Sequence, residues 1–155
     1  MKQYISNSEK DTMLLATRLA SKLTNGDTIV LSGDLGSGKT KFTQGFLSYF
    51  GLESEISSPT FTIVNEYHKN SVHIYHFDVY RLNSSDEFYA IGGEQYFQQG
   101  ICLVEWGEQL REVLPKEYLH ITFDRDFEND SKRFLTIQPY GKKYEKILAS
   151  IFPLT

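Results

Sequence analysis

The chain has 155 residues, enough for one domain with a hydrophobic core but with little room for a second, so we expect a single domain over 1–155. Its formal net charge is −4 and its basic clusters are short, which argues against a protein that coats duplex nucleic acid. Its one cysteine, Cys102, excludes an intrachain disulfide. The first residues lack the apolar core of a secretion signal, and no apolar run approaches membrane-spanning length, so we expect a cytoplasmic location.

The N-terminal part of the chain predicts a helix followed by a buried strand. Ser8 suits a helix N-cap, and the leucines and alanines after it recur at helical spacing. Asn25-Gly26 suits a C-terminal cap and turn, so we expect the helix to end there. The short apolar segment from Thr28 to Leu31 then predicts a buried strand.

A glycine-rich stretch directly after this strand carries the clearest functional signal. It matches Gly-x-x-x-x-Gly-Lys-Thr at every fixed position, and a helical pattern from Lys39 to Phe50 follows it. Glycines let the main chain approach a ligand closely, so successive N–H groups form a nest for an anion at the helix N-terminus. We expect Lys39 to reach the β- and γ-phosphates of a nucleotide and the Thr40 hydroxyl to bind Mg²⁺. The predicted phosphate-binding residues are Gly33, Asp34, Leu35, Gly36, Ser37, Gly38, Lys39 and Thr40.

The middle of the chain predicts an antiparallel hairpin. Residues 61–67 alternate between two faces, 68–71 are typical of a turn, and Val72 to Phe77 read as the return strand. An antiparallel hairpin beside strands that alternate with helices predicts a mixed sheet. Asp78 ends the second strand of the hairpin.

The rest of the chain predicts further elements of an α/β fold. Residues 83–87 suit the start of a short helix that stops at Gly92-Gly93. The apolar run from Ile101 to Val104 predicts a central strand covered on both faces. The remaining predictions are strands over Tyr118 to Phe123 and Arg133 to Ile137, and a terminal helix that includes Tyr144, Ile147, Leu148 and Ile151.

Two acidic residues stand where a magnesium–nucleotide site needs carboxylates. Ligands of open α/β sheets bind beyond the carboxyl ends of parallel strands, and Glu105 and Asp78 both end predicted strands. Glu105 could hold magnesium directly or through water, or orient an attacking water. The alternative for each is an ordinary surface acid. Thr60, in the polar loop after Pro59, is either a hydroxyl facing the γ-phosphate or an ordinary loop threonine.

Four sequence blocks in series resemble the TsaE (YjeE) family, the small bacterial ATPases of tRNA threonylcarbamoyladenosine synthesis. The resemblance covers the chain from about Ser8 to Arg133. The phosphate-loop motif alone occurs in many families, whereas the four blocks in this order are specific. The blocks are Gly33 to Thr40, Ser58-Pro59-Thr60-Phe61, His76-Phe77-Asp78-Val79-Tyr80-Arg81-Leu82 and Leu103-Val104-Glu105-Trp106.

The resemblance implies a P-loop NTPase-like three-layer α/β sandwich with a mixed, mainly parallel sheet, and ATP hydrolysis with Mg²⁺. It implies TsaB and TsaD as protein partners, with tRNA reached only indirectly through them and no membrane involved. Thr40 and Glu105 would be magnesium ligands, Asp78 would act near the metal or water, and Thr60 would lie near the γ-phosphate. Thr12 would lie near the nucleotide. The chain departs from the family in Lys41, where a second Thr is common, and in Gly107, where Pro is common.

Three other classes of protein are alternatives to an ATPase of this family. A GTPase switch needs an Asn-Lys-x-Asp element to recognise guanine, and no such string occurs in the chain. A small-molecule kinase needs a lid and an acceptor pocket, for which the chain leaves little room. A non-enzymatic, nucleotide-dependent interaction module would bind nucleotide without turnover.

Overall fold

A computed structural model describes residues 1–34, 36–52, 54, 64–79, 84–106 and 111–153. Leu35, Thr60, Gly107 and the first part of the predicted hairpin, 61–63, lie outside these ranges. The strands are β1 (Lys2–Ser6), β2 (Thr28–Ser32), β3 (Val64–Lys69), β4 (Val72–Asp78), β5 (Ile101–Glu105), β6 (Tyr118–Arg125) and β7 (Arg133–Tyr140). The helices are α1 (Glu9–Ala20), α2 (Lys39–Tyr49), α3 (Ser85–Ala90), α4 (Gly93–Gln99) and α5 (Lys142–Ile151).

The strands form one mixed sheet in the order β1-β7-β6-β2-β5-β4-β3. The four central strands, β6, β2, β5 and β4, run parallel to one another. The strands outside them pair antiparallel: β3 with β4, β7 with β6, and β1 with β7. The predicted mixed α/β sheet, with a parallel centre and an antiparallel hairpin, is therefore confirmed.

Helices cover both faces of the sheet, which gives the predicted three layers. On one face, α1, α2 and α5 pack on apolar side chains of β2, β5, β6 and β7. On the other face, Phe88 of α3 and Phe97 of α4 pack with Phe77 and Val104 of β4 and β5. Strand β2 is buried along its whole length because it lies in the middle of the sheet. This position fixes the loop that follows β2 to the rigid centre of the fold.

Helix α1 begins as predicted but ends earlier. The Ser8 hydroxyl caps it by accepting from the main-chain N–H of Asp11 at 3.2 Å. The helix ends at Ala20, not at Asn25-Gly26. The Asp27 carboxylate accepts from the main-chain N–H of Thr24 at 2.8 Å, so a turn replaces further helical hydrogen bonds there.

The hairpin turn is tighter than predicted. Strand β3 runs to Lys69 and β4 begins at Val72, so only Asn70 and Ser71 remain between them. Asn70 has a φ of 54°, a left-handed conformation that Asn tolerates better than most residues. The prediction of a turn over 68–71 is wrong in its first half because His68 and Lys69 pair with β4.

Two elements are not predicted by the sequence patterns. Strand β1 is a short edge strand whose mostly polar residues show no apolar alternation. Helix α4 begins where the sequence suggests only a stop: Gly92, with a φ of 73°, ends one helix and precedes the next. A Cβ on Gly93 would overlap the ring of Phe88, so close packing explains the second glycine.

Helix α5 is fastened to the start of β2 by a buried polar cluster. The Tyr144 hydroxyl accepts from the main-chain N–H of Thr28 at 2.9 Å and donates to the buried Asp27 carboxylate at 3.2 Å. The Lys143 ammonium lies 2.5 Å from the same carboxylate. Burial raises the pKa of the Tyr144 hydroxyl. Over the ranges given above, none of the helices has the length and apolar character needed to cross a lipid bilayer.

Candidate functional site

The loop between β2 and α2 has the backbone that its glycines predict. Gly33, Gly36 and Gly38 have φ values of 150°, 80° and 116°, which residues with a Cβ rarely adopt. A Cβ on Gly33 would lie only 2.7 Å from the carbonyl oxygen of Phe123 and 2.7 Å from Ser37 Oγ. Gly38 is the N-cap of α2, so the loop leads directly into the N-terminus of a helix. The predicted order of strand, glycine loop and helix is present.

Lys39 lies at the start of α2 and turns back into the loop. Its side chain is almost fully buried, and Nζ donates to the carbonyl oxygen of Gly33 at 2.5 Å. Nζ is also 3.6 Å from Glu105 Oε1 and 4.3 Å from the centroid of the Trp106 ring. A buried ammonium is costly unless it is paired and hydrogen-bonded, and a carbonyl, a carboxylate and an aromatic face meet that need.

Glu105 is placed beside the loop by the register of the parallel strands. It ends β5, where it pairs with Leu31 of β2 on one side and with Asp78 of β4 on the other. The two predicted acids are therefore neighbours at the carboxyl edge of the sheet. Asp78 is half-buried there. The structure thus brings together Lys39, Glu105 and Asp78 from three separate parts of the chain.

The carboxylate of Glu105 lies between two basic groups. Oε2 is 2.5 Å from Nε2 of His76, while Oε1 faces Lys39. Burial raises the pKa of the Glu105 carboxyl, but the hydrogen bond and charge of His76 and the nearby Lys39 outweigh burial, so the pKa is lowered overall. Glu105 is consequently ionised at neutral pH, as a metal ligand must be.

His76 is a site residue whose role the sequence reasoning missed. Its ring is buried, and Nε2 must carry the proton that is donated to Glu105, since an ionised carboxylate only accepts. Across the described ranges, Nδ1 of His76 makes no hydrogen bond. The sequence gives part of this arrangement: His76 and Asp78 are two residues apart on a predicted strand and therefore share a face. The pairing of β4 with β5 places that face beside Glu105.

Trp106, the residue after β5, has an unusual backbone conformation. Its φ is 64°, an uncommon value for a residue with a side chain, and its main-chain N–H donates to the carbonyl oxygen of Leu31 at 3.0 Å. This bond extends the contact between the ends of β5 and β2 by one residue. The backbone strain at Trp106 accompanies the placement of its ring against Lys39.

The loop residues also fit a phosphate group. The Ser37 hydroxyl is buried and makes no hydrogen bond in the part of the chain that the structure describes. The glycines add no side-chain atoms of their own to the loop. An unused buried donor within a glycine cradle suits an oxyanion, while Thr40, exposed in the first turn of α2, leaves its hydroxyl accessible for a cation.

Arg133 is a second residue that sequence reasoning missed. It begins β7, yet its guanidinium hydrogen-bonds the carbonyl oxygens of Ser37 and Gly36, 96 and 97 residues earlier in the chain. Only the sheet order β7-β6-β2 brings it to the phosphate loop, and no local pattern in the sequence predicts that contact.

Thr12 is a predicted site residue that lies outside the phosphate loop, in α1. The Thr12 side chain is buried in α1, and its hydroxyl lies 2.7 Å from that of Ser6. Ser6 is the register partner of Arg133, the residue that contacts the phosphate loop, so Thr12 lies on the same side of the sheet as that contact. Thr60 and Leu35 fall outside the described ranges, and their predicted roles stay predictions.

A glycine loop between a central parallel strand and a helix, with a buried lysine and acids at the adjacent strand ends, defines the class of P-loop α/β proteins. The profile of the family described as "Threonylcarbamoyl adenosine biosynthesis protein TsaE" matches residues 6–134. The chain belongs to this family.

Relatives and a solved structure agree with this assignment. The tRNA threonylcarbamoyladenosine biosynthesis protein TsaE of Bacillus subtilis is 41% identical over 139 residues, covering 89% of this chain and 85% of that protein. The protein of the same name from Treponema pallidum is 38% identical over 134 residues, covering 86% and 97%. The crystal structure of B. subtilis YdiB superposes with a TM-score of 0.76 at 35% identity, covering 97% of this chain and 93% of that one.

Proposed function

We propose that this chain is a magnesium-dependent ATPase that supports threonylcarbamoylation of the adenosine next to the anticodon in tRNA. The proposal rests on one observation above all: a buried lysine ammonium held inside a glycine loop, beside an ionised carboxylate. A lysine in this setting suits the triphosphate of a nucleotide, and family membership favours ATP as that nucleotide.

The phosphates of ATP would take the place of the contacts that Lys39 now makes. Phosphate oxygens offer the ammonium stronger, charge-assisted hydrogen bonds than the carbonyl of Gly33 does. The N–H groups of the loop and the helix N-terminus add further donors, and the Ser37 hydroxyl gains a partner. Lys39 would then move away from Glu105 and leave Oε1 available.

The residues present fit a magnesium ion. Thr40 and Glu105 would hold it, because hydroxyl and carboxylate oxygens are the ligands that Mg²⁺ prefers. When bound, Mg²⁺ neutralises charge on the phosphates. His76 keeps Glu105 ionised and fixes its second oxygen.

Hydrolysis further requires an ordered water near the γ-phosphate. Asp78, next to Glu105 in the sheet, and Thr60 are the residues that we assign to that task. Thr12 is assigned to the surroundings of the nucleotide. No threonylcarbamoyl transfer is assigned to this chain: TsaD would carry out that reaction with TsaB, and ATP turnover here would support repeated cycles.

Two substitutions test the proposal. Lys39→Ala should abolish measurable ATP binding by calorimetry, because the loop loses its main positive charge. Glu105→Gln should lower the hydrolysis rate by at least about a hundredfold and ATP affinity by much less, because the amide keeps an oxygen that can face the metal but loses the negative charge that magnesium binding and water activation would use.

An exposed lysine provides the matched control. Lys41→Ala removes a positive charge two residues from Lys39, where Nζ lies 3.5 Å from Glu9 on the surface. It should bind and hydrolyse ATP as the unmodified protein does. Near-normal ATP binding by Lys39→Ala would refute the phosphate-loop assignment, and unchanged turnover in Glu105→Gln would refute the role of that acid.

A further inference from the structure

Arg133 holds the outer side of the phosphate loop through main-chain carbonyls. Its Nε donates to the carbonyl oxygen of Ser37 at 3.1 Å, and Nη2 donates to that of Gly36 at 3.3 Å. Nη1 donates to the carbonyl oxygens of Asp130 at 2.5 Å and Lys132 at 2.9 Å. Four of the five N–H groups of the guanidinium are thus directed at backbone oxygens.

These bonds orient the peptide planes of the loop. In a trans peptide the C=O and the following N–H point in opposite directions, so a carbonyl held outward aims its amide inward. The Gly36–Ser37 peptide is held at both ends, since the N–H of Ser37 also donates to the carbonyl oxygen of Asp34 at 3.0 Å. In the Ser37–Gly38 peptide the bond to Arg133 holds the carbonyl, and among the described residues no hydrogen bond holds the Gly38 N–H, which is directed away from Arg133.

The anchor of this contact is rigid. Arg133 is the first residue of β7 and pairs with Ser6 on one side and with Arg125 on the other. Its Nη1 bonds to residues 130 and 132 tie the guanidinium to the turn before β7. The loop is therefore attached to the sheet by a guanidinium group that directs four of its five N–H groups at carbonyl oxygens.

We propose that Arg133 is a positioning residue: it preorganises the phosphate loop so that the inward N–H of Gly38 receives an anion, without itself contacting the phosphate. This inference rests on the proposed nucleotide-binding function of the loop. A charge-assisted fork to two carbonyls is specific to arginine, because the lysine ammonium is a single point donor. If Arg133 only attracted phosphate by its charge, a lysine at this position would do so equally well.

The test compares Arg133→Lys and Arg133→Gln with the control Arg125→Gln. Arg125 is the register partner of Arg133, and its Nη1 would lie 3.8 Å from a Cβ built on Gly36, so the control removes the same charge beside the same loop. Among the contacts of the described residues, Arg125 makes no hydrogen bond to the loop. The thermal midpoint of each variant is measured alongside to confirm folding.

The first measurement is amide hydrogen exchange at residues 36–39 by NMR, in the protein without ligand. Both Arg133 variants should exchange at least about tenfold faster at these amides, because loss of the carbonyl bonds releases the loop locally. The amides of the sheet should exchange in every variant as they do in the unmodified protein. The loop amides of the Arg125→Gln control should also be unchanged. Unchanged exchange in the Arg133 variants would overturn the inference, whether or not the loop binds nucleotide.

The second measurement is the affinity for ADP by calorimetry. Arg133→Lys should bind about tenfold more weakly and Arg125→Gln should bind normally; tenfold corresponds to about 1.4 kcal/mol. Normal ADP binding by Arg133→Lys, or equal weakening by Arg125→Gln, would show that charge alone matters and would overturn the inference. Failure of the unmodified protein to bind ADP would instead refute the proposed function, and the exchange measurement would still decide the role of Arg133.

Discussion

At the scale of single residues, Lys39 shows how a buried charge in the loop is compensated. Its ammonium is enclosed by a carbonyl oxygen, the Glu105 carboxylate and the Trp106 ring, so the buried charge is compensated from within the protein. Any anion that binds the loop must replace these interactions. The net contribution of Lys39 to anion binding is therefore what the anion offers the ammonium, minus what the carbonyl, the carboxylate and the ring already provide.

The lowered pKa of Glu105 makes a prediction about acid stability. Because the pKa in the folded protein lies below that of the unfolded chain, the ionised carboxylate stabilises the fold above the unfolded value, and this contribution is lost as the pH falls through the folded value. The difference in unfolding free energy between the unmodified protein and Glu105→Gln should shrink as the pH falls below 4.5. Urea unfolding at a series of pH values measures it.

Glu9 supplies the control for this measurement. Its carboxylate also faces a lysine, Lys41, but is exposed, so solvent screens the pair. Glu9→Gln should change the unfolding free energy little at any pH. If the difference in unfolding free energy between the unmodified protein and Glu105→Gln stays constant down to strongly acid pH, the lowered pKa of Glu105 is contradicted.

The residues of the site could be predicted from the sequence only where the signal is local. The glycine loop, Lys39 and the two strand-end acids follow from short patterns, and the structure brings Lys39, Glu105 and Asp78 together. Arg133 reaches the loop only through strand order, which depends on tertiary packing. His76 belongs to one of the family-like sequence blocks, but its contact with Glu105 requires knowing that β4 and β5 are neighbours.

At the scale of elements, the close contact between α1 and α2 depends on one glycine. A Cβ on Gly45 would lie 2.6 Å from Cα and 2.7 Å from the carbonyl oxygen of Met13. Thr17 adds a hydrogen bond across the same contact, from its hydroxyl to the carbonyl oxygen of Gly45 at 3.3 Å. Helix α2 begins with Lys39, so this contact also supports the element that carries the site.

Gly45→Ala should destabilise the protein although alanine favours helices. The gain in helix propensity is about 1 kcal/mol. Overpacking against the Met13 backbone costs roughly 1–3 kcal/mol and also displaces the helix. Urea unfolding should therefore show lower stability. Gln44→Ala, on the partly exposed side of the same helix, is the control and should be neutral or slightly stabilising; a stabilised Gly45→Ala would contradict the contact.

The ends of elements were less predictable than their existence. The strands β2, β4, β5, β6 and β7 and the helices α1, α2 and α5 follow from continuous apolar runs or from apolar periodicity. The early end of α1 depends on Asp27, whose carboxylate binds Thr24 in a turn that helix-cap patterns do not reveal. Strand β1 carries too little apolar alternation to be seen, because it lies at the edge of the sheet.

At the scale of the whole molecule, the two cores hold the sheet so that its carboxyl edge is available for function. Parallel strands β2, β4 and β5 end there together, and the site lies across their ends. Arg133, which contacts the loop, has most of its donors on carbonyls. Arg125 also lies beside the loop, but among the described residues it makes no hydrogen bond to it.

We therefore expect slow ATP hydrolysis by the isolated chain and faster hydrolysis with its proposed partners. Addition of TsaB and TsaD should raise the turnover rate by at least about tenfold, because a partner can supply the missing stabilisation of transition-state charge. Phosphate release measured at matched concentrations tests this. The Lys39→Ala chain with the same partners controls for contaminating ATPase, and a rate that the TsaB–TsaD pair leaves unchanged would contradict the partner proposal.

The indole ring of Trp106 is part of the enclosure of Lys39. Trp106 is the single tryptophan of the chain, and its ring lies 4.3 Å from the ammonium that a phosphate would draw away. All indole fluorescence of the protein therefore originates beside the movable cation. We therefore expect the emission of the unlabelled chain to change when an anion binds the loop, so that ligand titrations and stopped-flow kinetics would need no added dye.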